Sequence, residues 1–218
     1  MPADVAVTIK ESGGTIDAQE ISDIINSAGI AGGTAALTTG LVTIDPSAYT
    51  AGTSTLSGSK VDVEFVLKNS KLVADATADT TGVEAVQVAG LTGLNVTVAS
   101  ADAMSVAAAE KLTTDYNIGI LEATITGAKV STFVSDGSTP LTTTGNKLHL
   151  TVTGTAADNT FEATDTDDLI ELLGKTTGNI TLADGGAGDP KLKGTAANVA
   201  SVITNARILN HDSSVVVL

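Results

Sequence analysis

The apolar positions of this chain alternate between a helical period and a period of two. Asp17-Ala18-Gln19-Glu20 has the form of a capping box, with Asp17 as N-cap and Glu20 at the third helical position. Ile21, Ile24, Ile25 and Ala28 follow at i, i+3, i+4 and i+7, the stripe of a helix with one apolar face. Three more helices are predicted. One is Ala-rich around Ser105 to Leu112. The second is led in by Thr164 to Asp168 and stopped by Gly174. The third spans 195–206. Each precedes a strand: 17–28 then 41–45, 103–113 then 118–126, 166–173 then 179–183, and 195–206 then 207–209 and 214–218. Helices this short are marginal alone and must pack on something. Packing each on its strand gives one unit, and stacking units sets the strands side by side in parallel.

Repetition supports that unit. Thr-Thr-Gly stands before a strand-like run at 38–40, 80–82, 143–145 and 176–178, and Gly-Thr-Ala-Ala recurs at 154–157 and 194–197. The expected fold is mainly β with short helices, its helix–strand units forming an elongated solenoid-like or sandwich-like β architecture. One elongated domain over 1–218 is expected, subdivided into an irregular β-rich part (1–78) and helix–strand repeats (79–218). Within the first part Val61, Val63 and Phe65 alternate strictly. They predict a strand, paired as a hairpin with Lys71-Leu72-Val73 across Asn69-Ser70. Val130 to Val134 predicts another, turning at Asp136-Gly137.

Composition narrows the function. The chain is 42% hydrophobic, yet its aromatics are only three Phe and two Tyr, with no Trp. Enzymes of this size normally use large aromatics to fill a thick core and line a pocket, whereas small branched residues suit a thin core. A net charge of −14 disfavours nucleic acid and anionic membranes. No apolar run reaches membrane-spanning length, and the absence of cysteine excludes disulfides, thiol catalysis and zinc ribbons. The first residues carry no secretory signal, so an export signal would lie elsewhere. The aliphatic end at 215–218 reads as a last strand or a C-terminal signal.

Candidate chemistry is sparse. His149 has the parity of Lys147 and Thr151, the polar face of a strand, and His211 lies in a tail beside Asp212. Neither is expected to act as a general base. The acidic clusters are the remaining candidates. Asp165, Asp167 and Asp168 supply closely spaced hard oxygen ligands of the kind Ca²⁺ takes, and capping of a helix start is the competing reading. Asp184-Gly185-Gly186-Ala187-Gly188-Asp189 partly fits a calcium-binding nonapeptide, with Asp189 one residue early. Asp184 and Asp189 join the calcium candidates; a plain Gly-rich loop is the alternative.

The runs at 105–112, 154–159 and 169–186 resemble the Thr/Ala/Gly-rich repeats of bacterial S-layer-like and type I secreted (RTX-type) surface proteins, and related repeats in marine phage fibres. That resemblance implies a lattice, filament or adhesive role and no catalytic residues. The expectation is a non-enzymatic structural protein: a self-assembling subunit of a cell-surface layer or of an extracellular filament or adhesin. It would be extracellular or on the cell surface, with itself as main partner and cell-surface polysaccharide as another. The alternatives are a virion structural protein and a polysaccharide-active β-solenoid enzyme.

Overall fold

The computed structural model describes residues 7–9, 14–27, 41–44, 53–73, 86–89, 93–116, 118–156, 160–183, 190–211 and 216–217. Its chain divides into two compact units, Met1–Asp102 with Lys111–Leu121, and Ala103–Glu110 with Glu122–Leu218.

The first unit runs β1 (Val7–Ile9), β2 (Thr15–Asp17), α1 (Ala18–Ser27), β3 (Leu41–Ile44), β4 (Thr55–Gly58), α2 (Lys60–Asn69), β5 (Ser70–Val73), β6 (Val86–Ala89) and β7 (Leu94–Val98). Strand, strand, helix is the recurring order. The third set carries an extra strand: β1, β3, β5 and β6 form one parallel sheet in the order β1-β3-β6-β5, and the last strand of each set joins another in chain order, β2-β4-β7. Parallel pairing needs a crossover, and the helix supplies it. α3 (Val106–Asp115) and β8 (Ile118–Lys129) are divided between the units.

The second unit continues through a 3₁₀ turn (Val130–Thr132), β9 (Lys147–Thr153), β10 (Thr160–Phe161), α4 (Ala163–Lys175), β11 (Ile180–Leu182), β12 (Lys191–Lys193), α5 (Ala196–Ile203), β13 (Ile208–Leu209) and β14 (Val216–Val217). β8, β9, β11 and β13 pair in parallel in chain order, as do β10, β12 and β14.

In both units the strands alternate. Leu94, Val96 and Val98 are buried while Asn95 and Thr97 are half-exposed. Leu148, Leu150 and Val152 are buried between Lys147, His149 and Thr151. One face is therefore buried, against α1 and α2 for β4 and against α2 for β7 in the first unit, and the other carries Thr, Ser, Asn and a few charges. Parallel sheets are usually sheathed on both faces and read as continuous apolar runs, so this alternation marks an open face. The core is mostly aliphatic; Ile16, Leu56, Val63, Val66 and Leu67 fill it in the first unit, and Leu150, Leu169, Leu172, Ile180 and Val202 fill it in the second beside the buried rings of Phe133 and Phe161. Gly58 lets β4 approach α1, since a Cβ there would stand 2.7 Å from that of Ala18.

Four expectations are corrected here. The fold is α/β, with parallel strands and, among the described residues, five helices of eight to thirteen residues, and not the mainly β, solenoid-like or sandwich-like architecture expected from the repeats. Second, Lys60–Asn69 is α2 and forms no hairpin strand. Ser59 decides this: its hydroxyl accepts from the Asp62 N–H at 3.2 Å and donates to the Asp62 carboxylate at 2.5 Å, capping the helix start. Asp102 accepts from the Lys60 N–H at 3.1 Å, satisfying another first-turn donor. Val63, Val66 and Leu67 then bury one helical stripe and leave Val61 74% exposed. Third, Val130 to Val134 forms no strand: Val130–Thr132 is a 3₁₀ turn, followed by Phe133 and Val134, and Val130, Phe133 and Val134 are buried. Fourth, Gly174 lies inside α4, which ends at the cap residue Thr176.

Candidate functional site

Two groups of polar side chains in the second unit concentrate the available chemistry. The first is the start of α4, with Glu162 as N-cap. Asp165 turns back onto this end and is fully buried. Its Oδ2 accepts from the Glu162 N–H at 2.9 Å, the Thr155 N–H at 3.0 Å and the Thr155 hydroxyl at 2.8 Å. Its Oδ1 is enclosed and has no partner among the described residues. Asp167 faces α5 and accepts from the Asn198 side-chain amide at 2.6 Å. Asp168 faces elsewhere again. Burial pushes its carboxyl up, and Asp165, Asp136, Glu171 and Asp167 push it further. Glu171 accepts from the Ser135 hydroxyl and, at 2.9 Å, from the Ser135 N–H, and these bonds hold its carboxyl below the usual range.

Helix residues step about 100° apart, so positions 165, 167 and 168 point in three directions. The structure gives each its own protein partners or setting and does not gather them. Among the described residues no three His, Asp or Glu side chains converge as a metal site would require. Asp184 and Asp189 lie outside the described residues. What the arrangement at Asp165 does chemically is brace: it ties the end of β9 to the N-terminus of α4 through charge-assisted bonds.

The second group lies on the open face of the sheet. Glu122 on β8 stands opposite Lys147 on β9 and pairs with its ammonium at 2.8 Å. Bonding to Lys147 and then to His149 draws the Glu122 carboxyl down against a smaller opposing effect of burial. His149, half-buried, sets Nε2 3.3 Å from the same carboxylate oxygen. Its Nδ1 accepts from the Asn179 main-chain N–H at 3.2 Å. That acceptor role leaves the proton of the neutral ring on Nε2. The parity expected of His149 is observed, but the ring is engaged on both sides and not simply solvated. No protein-family model, no curated protein and no solved structure matches the chain.

The chain's threonines also act here. The Thr176 hydroxyl, buried, accepts from the Leu148 N–H at 2.8 Å and the Gly178 N–H at 3.0 Å and faces the Leu148 carbonyl at 2.8 Å. A Cβ on Gly178 would collide with the Leu148 carbonyl oxygen, so this close approach needs glycine. One copy of the recurring Thr-Thr-Gly is thus a junction between neighbouring strands. The copies at 38–40 and 80–82 lie outside the described residues. The Arg207 guanidinium donates to the Leu173 carbonyl at 2.8 Å and to that of Thr176, closing the C-terminal end of α4. Neither role had a signal in the sequence beyond the repeat itself. His211 is half-buried, and its Nδ1 is enclosed with no hydrogen-bond partner among the described residues.

Proposed function

We propose that this chain is a non-enzymatic structural protein that associates with copies of itself, as a subunit of a cell-surface layer or an extracellular filament. The observation that carries this reading is the strand order. Within each unit the sheet of alternating strands follows the chain, so β2 at one limit and β13 at the other have one strand partner each among the described residues. An edge strand is a template for another chain. Contacts between two unlike edges are heterologous, and they build open filaments when the rotation does not close. The polar groups at the candidate sites, Asp165, Thr176 and Arg207, serve bonds within the fold, which suits a scaffold. The charge of −14 directs association toward edges and uncharged surfaces.

Sedimentation velocity and negative-stain microscopy across a concentration series test the proposal. Filaments or sheets are expected, weakened by Thr15→Lys on β2 and by Leu209→Lys on β13. Monomers at every concentration, with and without chelator, refute it.

A further inference from the structure

The start of β11 is joined to β9 by side chains as well as by main chain. The Asn179 carbonyl accepts from the Leu150 N–H at 2.9 Å, an ordinary ladder bond. The Asn179 N–H is given instead to His149 Nδ1 at 3.2 Å. Just upstream, the Thr176 hydroxyl takes the Leu148 and Gly178 N–H groups. One of these two clips is an ionisable side chain and the other is not.

We propose that His149 is an acid-sensitive clip on the β9–β11 seam. A proton taken from solvent at Nδ1 sets N–H against N–H, so the bond to the Asn179 N–H is lost, while the Thr177 N–H stays on the Asn146 carbonyl at 3.0 Å and the Gly178 N–H on Thr176. The Nε2–H stays on Glu122 throughout. Every neighbouring element contributes to this balance. β8 presents Glu122, whose carboxylate lies 3.3 Å from Nε2, and β9 presents Lys147, whose ammonium pairs with that same carboxylate at 2.8 Å. β11 presents the uncharged Thr181, and the residue before it is the uncharged Asn179. One strand further, the Arg207 guanidinium is held on the Leu173 and Thr176 carbonyls. The stranded Asn179 N–H then carries the desolvation cost of an unmade bond, and the seam opens there first. This device is independent of whether the chain self-associates.

Amide exchange and imidazole C–H shifts, followed by NMR on the full chain between about pH 5 and 8, test it. Protection of the Asn179 N–H, corrected for the intrinsic rate, should fall about five-fold in step with the His149 titration, the size of one net hydrogen bond. The Ile180 N–H, which donates to the Arg207 carbonyl at 2.8 Å, should hold steady. In His149→Gln, a neutral acceptor, Asn179 should keep one level throughout. Three results overturn the proposal: unchanged Asn179 protection while the ring titrates, the same fall in the glutamine variant, or a ring that does not titrate in this range.

Discussion

Replacing Asp165 with alanine separates a structural carboxylate from a calcium ligand. In the folded chain one oxygen, Oδ2, gathers the Glu162 N–H, the Thr155 N–H and the Thr155 hydroxyl. Alanine strands both main-chain donors, while the hydroxyl can rotate toward another acceptor. Each stranded, poorly hydrated donor costs about 1–3 kcal/mol. Loss of a carboxylate in the first helical turn adds about 0.3–1 kcal/mol. Relief of repulsion with Asp168, one turn along, returns about 0.2–0.5 kcal/mol. The net is a destabilisation of about 3–5 kcal/mol. At this chain length that lowers Tm by roughly 10 °C. Asp165→Asn should cost less, since the amide oxygen can still accept, although its NH₂ then occupies the enclosed position of Oδ1. Urea unfolding followed by circular dichroism, with and without chelator, measures both variants. The brace predicts the same loss in either condition. A loss under about 1 kcal/mol, or one that disappears in chelator, refutes the reasoning.

The open face and the helices give further tests. Asp168 is held protonated to a higher pH in the fold than its ordinary value of 3.8. Its folded form therefore binds the proton more tightly, and stability falls as pH rises from below 3.8 through the raised value. Asp168→Asn should accordingly stabilise the chain at neutral pH, and its advantage over wild type should shrink in acid; a variant less stable at pH 7 contradicts this. Glu122 has the opposite sign: its contribution is present above 4.5 and is lost as pH falls through its lowered folded value, so Glu122→Gln should destabilise at neutral pH and not in strong acid. On α2, Val61→Lys should change stability by less than about 0.5 kcal/mol, whereas Val63→Lys should unfold the first unit. A strand would place both on one face, so equal effects in thermal melts would restore the alternating reading.

Those two valines also show where the sequence was legible. α1 was readable because Asp17 accepts from the Gln19 N–H at 2.8 Å and Ile21 is buried, so cap and stripe agree. In α2 two periods coexist. Val61, Val63 and Phe65 satisfy alternation, while Val63, Val66 and Leu67 satisfy a helix. Only Ser59 and Asp62, three residues apart, break the tie, and a capping pair is a quieter signal than a run of valines. The second strand of each unit was lost for a different reason. β4, Thr55–Gly58, holds a single buried apolar residue, Leu56, and acquires strand geometry from pairing on both sides with β2 and β7. Missing these strands made the units look like one helix on one strand, and reading α2 as a hairpin strand turned a helix into β, hence the mainly β expectation.

The candidate sites follow the same logic at the level of single atoms. Three nearby aspartates are equally consistent with a cation cage and a helix cap, because spacing along the chain says nothing about which donors approach. Thr155 decides for Asp165, ten residues earlier in the turn after β9. For His149, parity gives the face but not the partner: Asn179 is thirty residues away, and its N–H is free for the ring because the bond it makes lies at the first residue before β11, where the ladder starts. A titrating side chain that stands in for main chain at such a start has no local pattern. It is a property of two strands brought into register, and it explains why a chain with almost no recognisable chemistry still holds one histidine whose proton is coupled to its backbone.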